Sequence, residues 1–172
     1  KSTGIADAFV VGEKFINKSK VALVLGDNLF YGHQLTNKFL KAKSNNKNCT
    51  IFLYTVSNPS SFGVVELDNK NKILSIKEKP KKTKSNLAIS GLYFFDKNVS
   101  EYARKIKPSK RNEKEIVTLI NKYNNQKKLK VVFLGRGSAW LDTGTYDNME
   151  KASIFVKNIE ERQGLKIACL EE

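Results

Sequence analysis

The chain is short of the residues that many catalytic and structural signatures need. Its 172 residues include one histidine, one tryptophan, one methionine, two cysteines and three prolines. Cys49 and Cys169 are far apart in sequence and share no C-x-x-C spacing. That excludes a dense disulfide scaffold, and reduced thiols in a cytoplasmic protein are expected. The lone histidine, His33, and the two cysteines lie in no triad-like context, so covalent catalysis by a side-chain nucleophile is not expected. No window approaches the ~18 consecutive apolar residues of a membrane span, and no secretory pattern opens the sequence. A membrane role is therefore not expected. Acidic residues are also scarce, 17 against 31 lysines and arginines, for a net charge of +14. Only four of those cations are arginine. A nucleic-acid surface tends to gather its cations on one stripe and interleave aromatics. Here the lysines scatter over every polar segment, in runs such as "KAKSNNKN" and "KEKPKKTK", which read as solvated faces and turns. Nucleic acid is not an expected partner.

What is present is an alternation of apolar runs and helical patterns. Residues from Ile5 to Ile16 follow helical spacing. Val21–Leu25 is a short apolar run suited to a buried strand, and "TIFLYTV" (50–56) is β-branched and aromatic. His33 to about Lys43 suits a helix with Leu35, Phe39 and Leu40 inward. Val64–Leu67 and Ile73–Ile76 flank "DNKNK" as in a hairpin. Ala88–Phe95 and Leu129–Leu134 read as further strands. Asn112 and Glu115 form a capping-box pattern ahead of a helix that places Ile116, Leu119, Ile120 and Tyr123 on one face. Thr145 to about Arg162 reads as a long amphipathic helix. The expectation is one α/β domain around a mostly parallel or mixed sheet.

Three short stretches carry chemistry. "VALVLGDNLFYGH" drives an apolar strand into Gly26 and Asp27. In open α/β sheets ligands bind beyond the carboxyl ends of strands, and an ionised carboxylate there suits a hard cation such as Mg²⁺. An aspartate at a strand end also serves as a turn former. "FLGRGSAWLDTGT" repeats the arrangement and ends at Asp142, which could share one metal with Asp27 or cap the following helix. In "SIKEKP", Glu78 and Lys79 are neighbours on a strand, so they point to opposite faces unless the backbone bends. If both reach one pocket, Glu78 can accept from sugar hydroxyls and Lys79 can neutralise a phosphate; otherwise they are an exposed charged strand end.

Taken in order, "LVLGDNLFYGH", "FGVVELD", "SIKEKPKKTKSNLAISGLYFFD", "KPSKRNEKEI", "GRGSAWLDTGT" and "IEERQG" resemble the glucose-1-phosphate thymidylyltransferase family of sugar nucleotidyltransferases, over essentially the whole chain. The resemblance implies a Rossmann-like nucleotide-diphospho-sugar transferase fold with a mixed central sheet. It implies a single partial domain, 1–172, lacking N-terminal strands and C-terminal helices. It also implies attack of glucose 1-phosphate on the α-phosphorus of dTTP, with Mg²⁺ present and pyrophosphate released, in a homo-oligomeric cytoplasmic enzyme (a homotetramer in the family).

Residue by residue, the resemblance makes Asp27 and Asp142 the Mg²⁺ carboxylates. Glu78 becomes the acid on the sugar hydroxyls, and Lys79 and Arg111 the cations on the sugar phosphate. Gly63 and Ile89 would contact the sugar through their backbones, and Gly4 would end the loop that reads the thymine. The family's Gly-rich signature falls before residue 1, so the segment alone is expected to be inactive. Phe62 stands where the family usually has tyrosine, and "EIVTLINKY" replaces a more polar segment. The Tyr31-Gly32-His33 loop and Arg136 align with a second, regulatory nucleotide site, although a packed surface histidine is the plainer reading of His33. Trp140 reads as core or pocket wall. Rival expectations are a transferase using UTP or CTP, and a non-catalytic binding module on the same fold.

Overall fold

The computed structural model describes residues 3–167; Cys169 lies outside them. The first helical stretch is broken into a 3-10 turn Ile5–Asp7 and two short helices, α1 Ala8–Val11 and α2 Glu13–Ile16, divided at Gly12. Then come β1 Val21–Val24, β2 Asn28–Gly32, α3 Leu35–Ser44, β3 Cys49–Thr55, β4 Gly63–Leu67, β5 Ile73–Glu78 and β6 Leu87–Phe95. The chain continues with α4 Val99–Arg104, α5 Ile116–Asn125, β7 Leu129–Phe133, β8 Ser138–Asp142 and α6 Tyr146–Gln163.

β6 organises the sheet, whose order is β5-β4-β6-β3-β7. One edge of β6 pairs with β3; its other edge takes β4 at Val64↔Ala88 and β1 across Val21↔Phe95 to Val24↔Leu92. Only β3 and β7 run parallel, so the sheet is mixed. β6 is buried on both faces, which is why it reads as a near-continuous apolar run, interrupted at Ser90 and Gly91, rather than an alternating one. Ile89, Tyr93 and Phe95 face a core completed by Phe9 and by Ile116, Leu119, Ile120 and Tyr123 of α5. Ala88, Leu92 and Phe94 face a second core with Leu35, Phe52, Leu134 and Trp140.

Several expectations are corrected. Leu40 is 55% exposed: at ~100° per residue it falls off the Leu35–Phe39–Ala42 stripe that faces the sheet. The capping box does not form. Asn112 has left-handed φ 59, α5 starts at Ile116, and the Glu115 carboxylate instead accepts from the Ser109 hydroxyl at 2.9 Å. Helix α6 is capped by Thr145, whose hydroxyl accepts from the Asn148 N–H, so Asp142 is not its cap. The apolar side of α6 is largely open, with Met149 and Ile154 about half exposed and Ala152 buried. The segments after Asp27 and before Asp142 are not loops. They are β2 and β8, an antiparallel ribbon standing off the main sheet.

Candidate active site

β1 leaves the main sheet through Leu25, whose N–H donates to Gly91 O at 2.9 Å. After Gly26 and Asp27 the chain re-enters regular structure as β2. The ribbon pairs Asn28 with Asp142 at one end and Gly32 with Ser138 at the other. A crosslink closes the first end: the backbone oxygen of Asp27 accepts from Thr143 N at 2.7 Å and from the Thr143 hydroxyl at 2.9 Å. Two acids 115 positions apart in sequence are thereby held side by side by main-chain bonds. Their side chains converge. Asp142 Oδ1 and Asp27 Oδ2 lie 3.0 and 3.2 Å from the point where a Cβ on Gly144 would stand. Each carboxylate also takes one local donor, with Asp142 Oδ1 accepting from Gly144 N at 2.8 Å and Asp27 Oδ1 from Asn28 Nδ2 at 2.7 Å.

The same cavity is lined by Gly63, Glu78, Lys79 and Ile89 as well as by both aspartates. Glu78 and Lys79 reach one cavity because the strand does bend: Lys79 has left-handed φ 40, donates its N–H to Phe62 O at 3.0 Å, and is followed by Pro80. Gly63 pairs with Glu78 across the β4–β5 hairpin. A Cβ there would lie 2.8 Å from Val117 and 3.5 Å from Glu78 Oε2, so glycine keeps the backbone open beside the carboxylate. Burial raises the Glu78 carboxyl above its ordinary value; the Glu115 charge adds to this, while Lys79 and Arg111 oppose it.

Arg111 is not part of the cavity wall but lies beside Glu78, which is. Its guanidinium lies 3.9 Å from Glu78, 3.3 Å from Glu113 and 3.6 Å from Glu115. Gly4 is not part of the cavity wall; its neighbour Ile5 is. Gly4 has φ 103 and sits against the Lys114 backbone, where Lys114 N donates to Thr3 O at 2.7 Å and Ala6 N to Lys114 O at 3.1 Å. The segment at 3–6 is thus strapped to the loop that carries Arg111. Trp140 is buried, lines the cavity and packs on Phe62 with ring centroids 5.0 Å apart, as a wall. His33 and Arg136 are exposed and adjoin the Gly32–Ser138 end of the ribbon, away from the two acids.

Sequence reasoning missed Asn28 and Gly91, both in the cavity wall. A lone glycine inside the apolar run "AISGLYFF" was a usable signal, since glycine in a strand interior marks a close approach.

Residues 1–159 match the nucleotidyl transferase family. The chain belongs to that family. Among relatives of this nucleotidyl transferase, glucose-1-phosphate thymidylyltransferase of Neisseria meningitidis is 47% identical over 169 residues, covering 98% of this chain and 59% of the relative. The protein of the same name from Mycobacterium tuberculosis is 49% identical, covering 98% and 58%. The chain therefore spans somewhat more than half the length of the curated relatives it matches. A Bacillus anthracis crystal structure, described as a glucose-1-phosphate thymidylyltransferase with a sucrose, superposes with TM-score 0.80 at 32% identity, covering 92% of this chain and 63% of that one. UDP-glucose pyrophosphorylase with UDP-glucose superposes at TM-score 0.78 and 22% identity, covering 92% and 64%, a likeness of fold.

The donor set suits a divalent cation of the Mg²⁺ type. Two carboxylate oxygens converge on one point, and no cluster of three histidine, cysteine or acidic side chains occurs among the described residues. Mg²⁺ usually takes one or two protein carboxylates and completes its octahedron with phosphate oxygens and water.

Proposed function

We propose that the intact protein condenses dTTP with glucose 1-phosphate to give dTDP-glucose and pyrophosphate, with Mg²⁺ held by Asp27 and Asp142. The reading rests on one observation: both aspartates, Glu78 and Lys79 line a single cavity. The shared name of relatives at 43–49% identity supports it.

In the reaction a phosphate oxygen of glucose 1-phosphate forms a bond to the α-phosphorus of dTTP while the α–β phosphoanhydride bond breaks, and pyrophosphate leaves. Displacement between two anions needs alignment and charge neutralisation more than covalent help. When bound, Mg²⁺ would screen triphosphate charge and polarise the phosphoryl oxygens. The chain's own residues do the rest. Lys79 and Arg111 attract and orient the sugar phosphate. Glu78 accepts from the sugar hydroxyls, and Gly63 and Ile89 present backbone to the hexose. Gly4 ends the base-reading loop. No helix among the described residues is long and apolar enough to cross a membrane, and a homo-oligomeric cytoplasmic enzyme is the form proposed.

Pyrophosphate release by the intact protein, measured with dTTP, UTP and CTP each paired with glucose 1-phosphate, tests the reading. Preference for dTTP is expected; indifference to dTTP rejects the named substrate. Asp27→Asn and Asp142→Asn should each lower the rate by orders of magnitude. Near-normal turnover in both would remove the metal assignment.

A further inference from the structure

The Asn28 side chain sits at a three-way junction. Its amide oxygen accepts from Gly91 N at 3.0 Å, on β6 of the main sheet, and from Trp140 Nε1 at 2.6 Å, on β8. Both of these groups are donors only. They therefore fix which way the amide faces: oxygen toward Gly91 and the indole, and NH₂ toward the Asp27 carboxylate, where it donates to Oδ1 at 2.7 Å. A flipped amide would confront two N–H groups with a third and leave them unpaired.

The arrangement depends on glycine at 91. A Cβ there would lie 2.6 Å from Asn28 Cγ, closer than real side chains approach, so the amide can dock only on bare backbone. The indole that completes the junction is buried and cannot swing away. The consequence falls on Asp27, an otherwise exposed side chain with two oxygens. Asn28 engages Oδ1, and the free Oδ2 is the oxygen that converges with Asp142 Oδ1 beside Gly144.

We infer that Asn28 is a positioning residue: clamped by Gly91 and Trp140, it holds the Asp27 carboxylate so that Oδ2 faces the divalent cation. The inference rests on the cation reading of the site given above. Partners that orient a metal ligand typically change metal affinity about 10–100-fold when removed, and a residue that acts through Asp27 has nothing left to orient once Asp27 is gone.

The test is binding of Mn²⁺ alone to the intact protein, followed by the electron paramagnetic resonance signal of free Mn²⁺. Asn28→Ala, Asp27→Asn and the double variant are compared, each with its thermal melt as a check of folding. Asn28→Ala is expected to weaken Mn²⁺ binding about 10–100-fold in the parent background and to add nothing in the Asp27→Asn background. Binding by folded Asn28→Ala within about threefold of the parent overturns the proposal, as does simple addition of the two losses. Should Asn28→Ala not fold, Trp140→Phe makes the same test by removing one of the two donors on the amide oxygen. Weaker Mn²⁺ binding in that variant supports the clamp, and unchanged binding overturns it. A parent protein that binds Mn²⁺ through Asp27 yet transfers no nucleotidyl group would reject the proposed reaction and leave this inference standing.

Discussion

The Asp27 and Asp142 carboxylates converge on the bare backbone of Gly144. Their nearest oxygens stand 3.2 and 3.0 Å from the position a Cβ of Gly144 would fill. Gly144 is exposed and its φ is not positive, so alanine costs little in backbone strain. Gly144→Ala is therefore expected to leave the melting temperature nearly unchanged while placing a methyl group between the carboxylates. Under the proposed function, the apparent Mg²⁺ requirement should rise at least ~10-fold, the scale set by disturbing the shell around a metal. A Mg²⁺ titration of pyrophosphate release checks it.

Glu78 carries a raised carboxyl pKa because it is largely buried, near Glu115. A carboxyl whose folded pKa exceeds its unfolded one favours folding at low pH and loses that contribution as pH rises through the folded value. Glu78→Gln should therefore melt higher than the parent at pH 7.5, with the gap closing toward pH 4. Its cost is functional. On the proposed reading, loss of a charged acceptor for sugar hydroxyls should weaken glucose 1-phosphate binding about 10–100-fold, equivalent to the ~1.5–3 kcal/mol of a hydrogen bond to a charged group. Thermal melts across pH and calorimetric binding of glucose 1-phosphate separate the two effects.

Tyr123 donates its hydroxyl to Asp96 at 2.7 Å inside the core, and Asp96 also accepts from Asn98 N at 3.0 Å. Burial and that bond push the phenol far above its ordinary value. Tyr123→Phe keeps the ring but removes one of the two hydrogen bonds to Asp96 Oδ1, which should cost ~1.5–3 kcal/mol, the scale of a bond to a charged group. For a chain of this size each kcal/mol lowers Tm by ~2–4 °C. Denaturant unfolding should show the loss, with turnover unaffected because the pair lies away from the cavity wall.

Cys49 is 1% exposed, and burial pushes its thiol well up, with the Asp96 charge adding to the effect. In the native protein it should resist a disulfide-exchange reagent that it consumes promptly in guanidinium, because the attacking species is the thiolate. A thiol titration before and after denaturation counts it. Fast native modification of Cys49, located by peptide mapping, would contradict its burial.

The periodicity of the sequence determined most of the elements. β6 was legible because a strand buried on both faces is largely apolar along its length, and α5 because Ile116, Leu119, Ile120 and Tyr123 repeat at the helical period. Asp27, Glu78, Lys79 and Asp142 were legible as candidates because charge beside glycine or proline at a strand end is locally anomalous. Their meeting was not, because local pattern carries no information on which distant segments pair. The β2–β8 ribbon, the positive φ that turns Lys79 toward Glu78, and the Asn28 junction with Gly91 and Trp140 all arise from contacts between residues far apart in sequence. The chain's local chemistry thus supplied the acids, and only the tertiary pairing of two five-residue strands aimed them at one point, because side-chain direction is set by strand register rather than by neighbours in sequence.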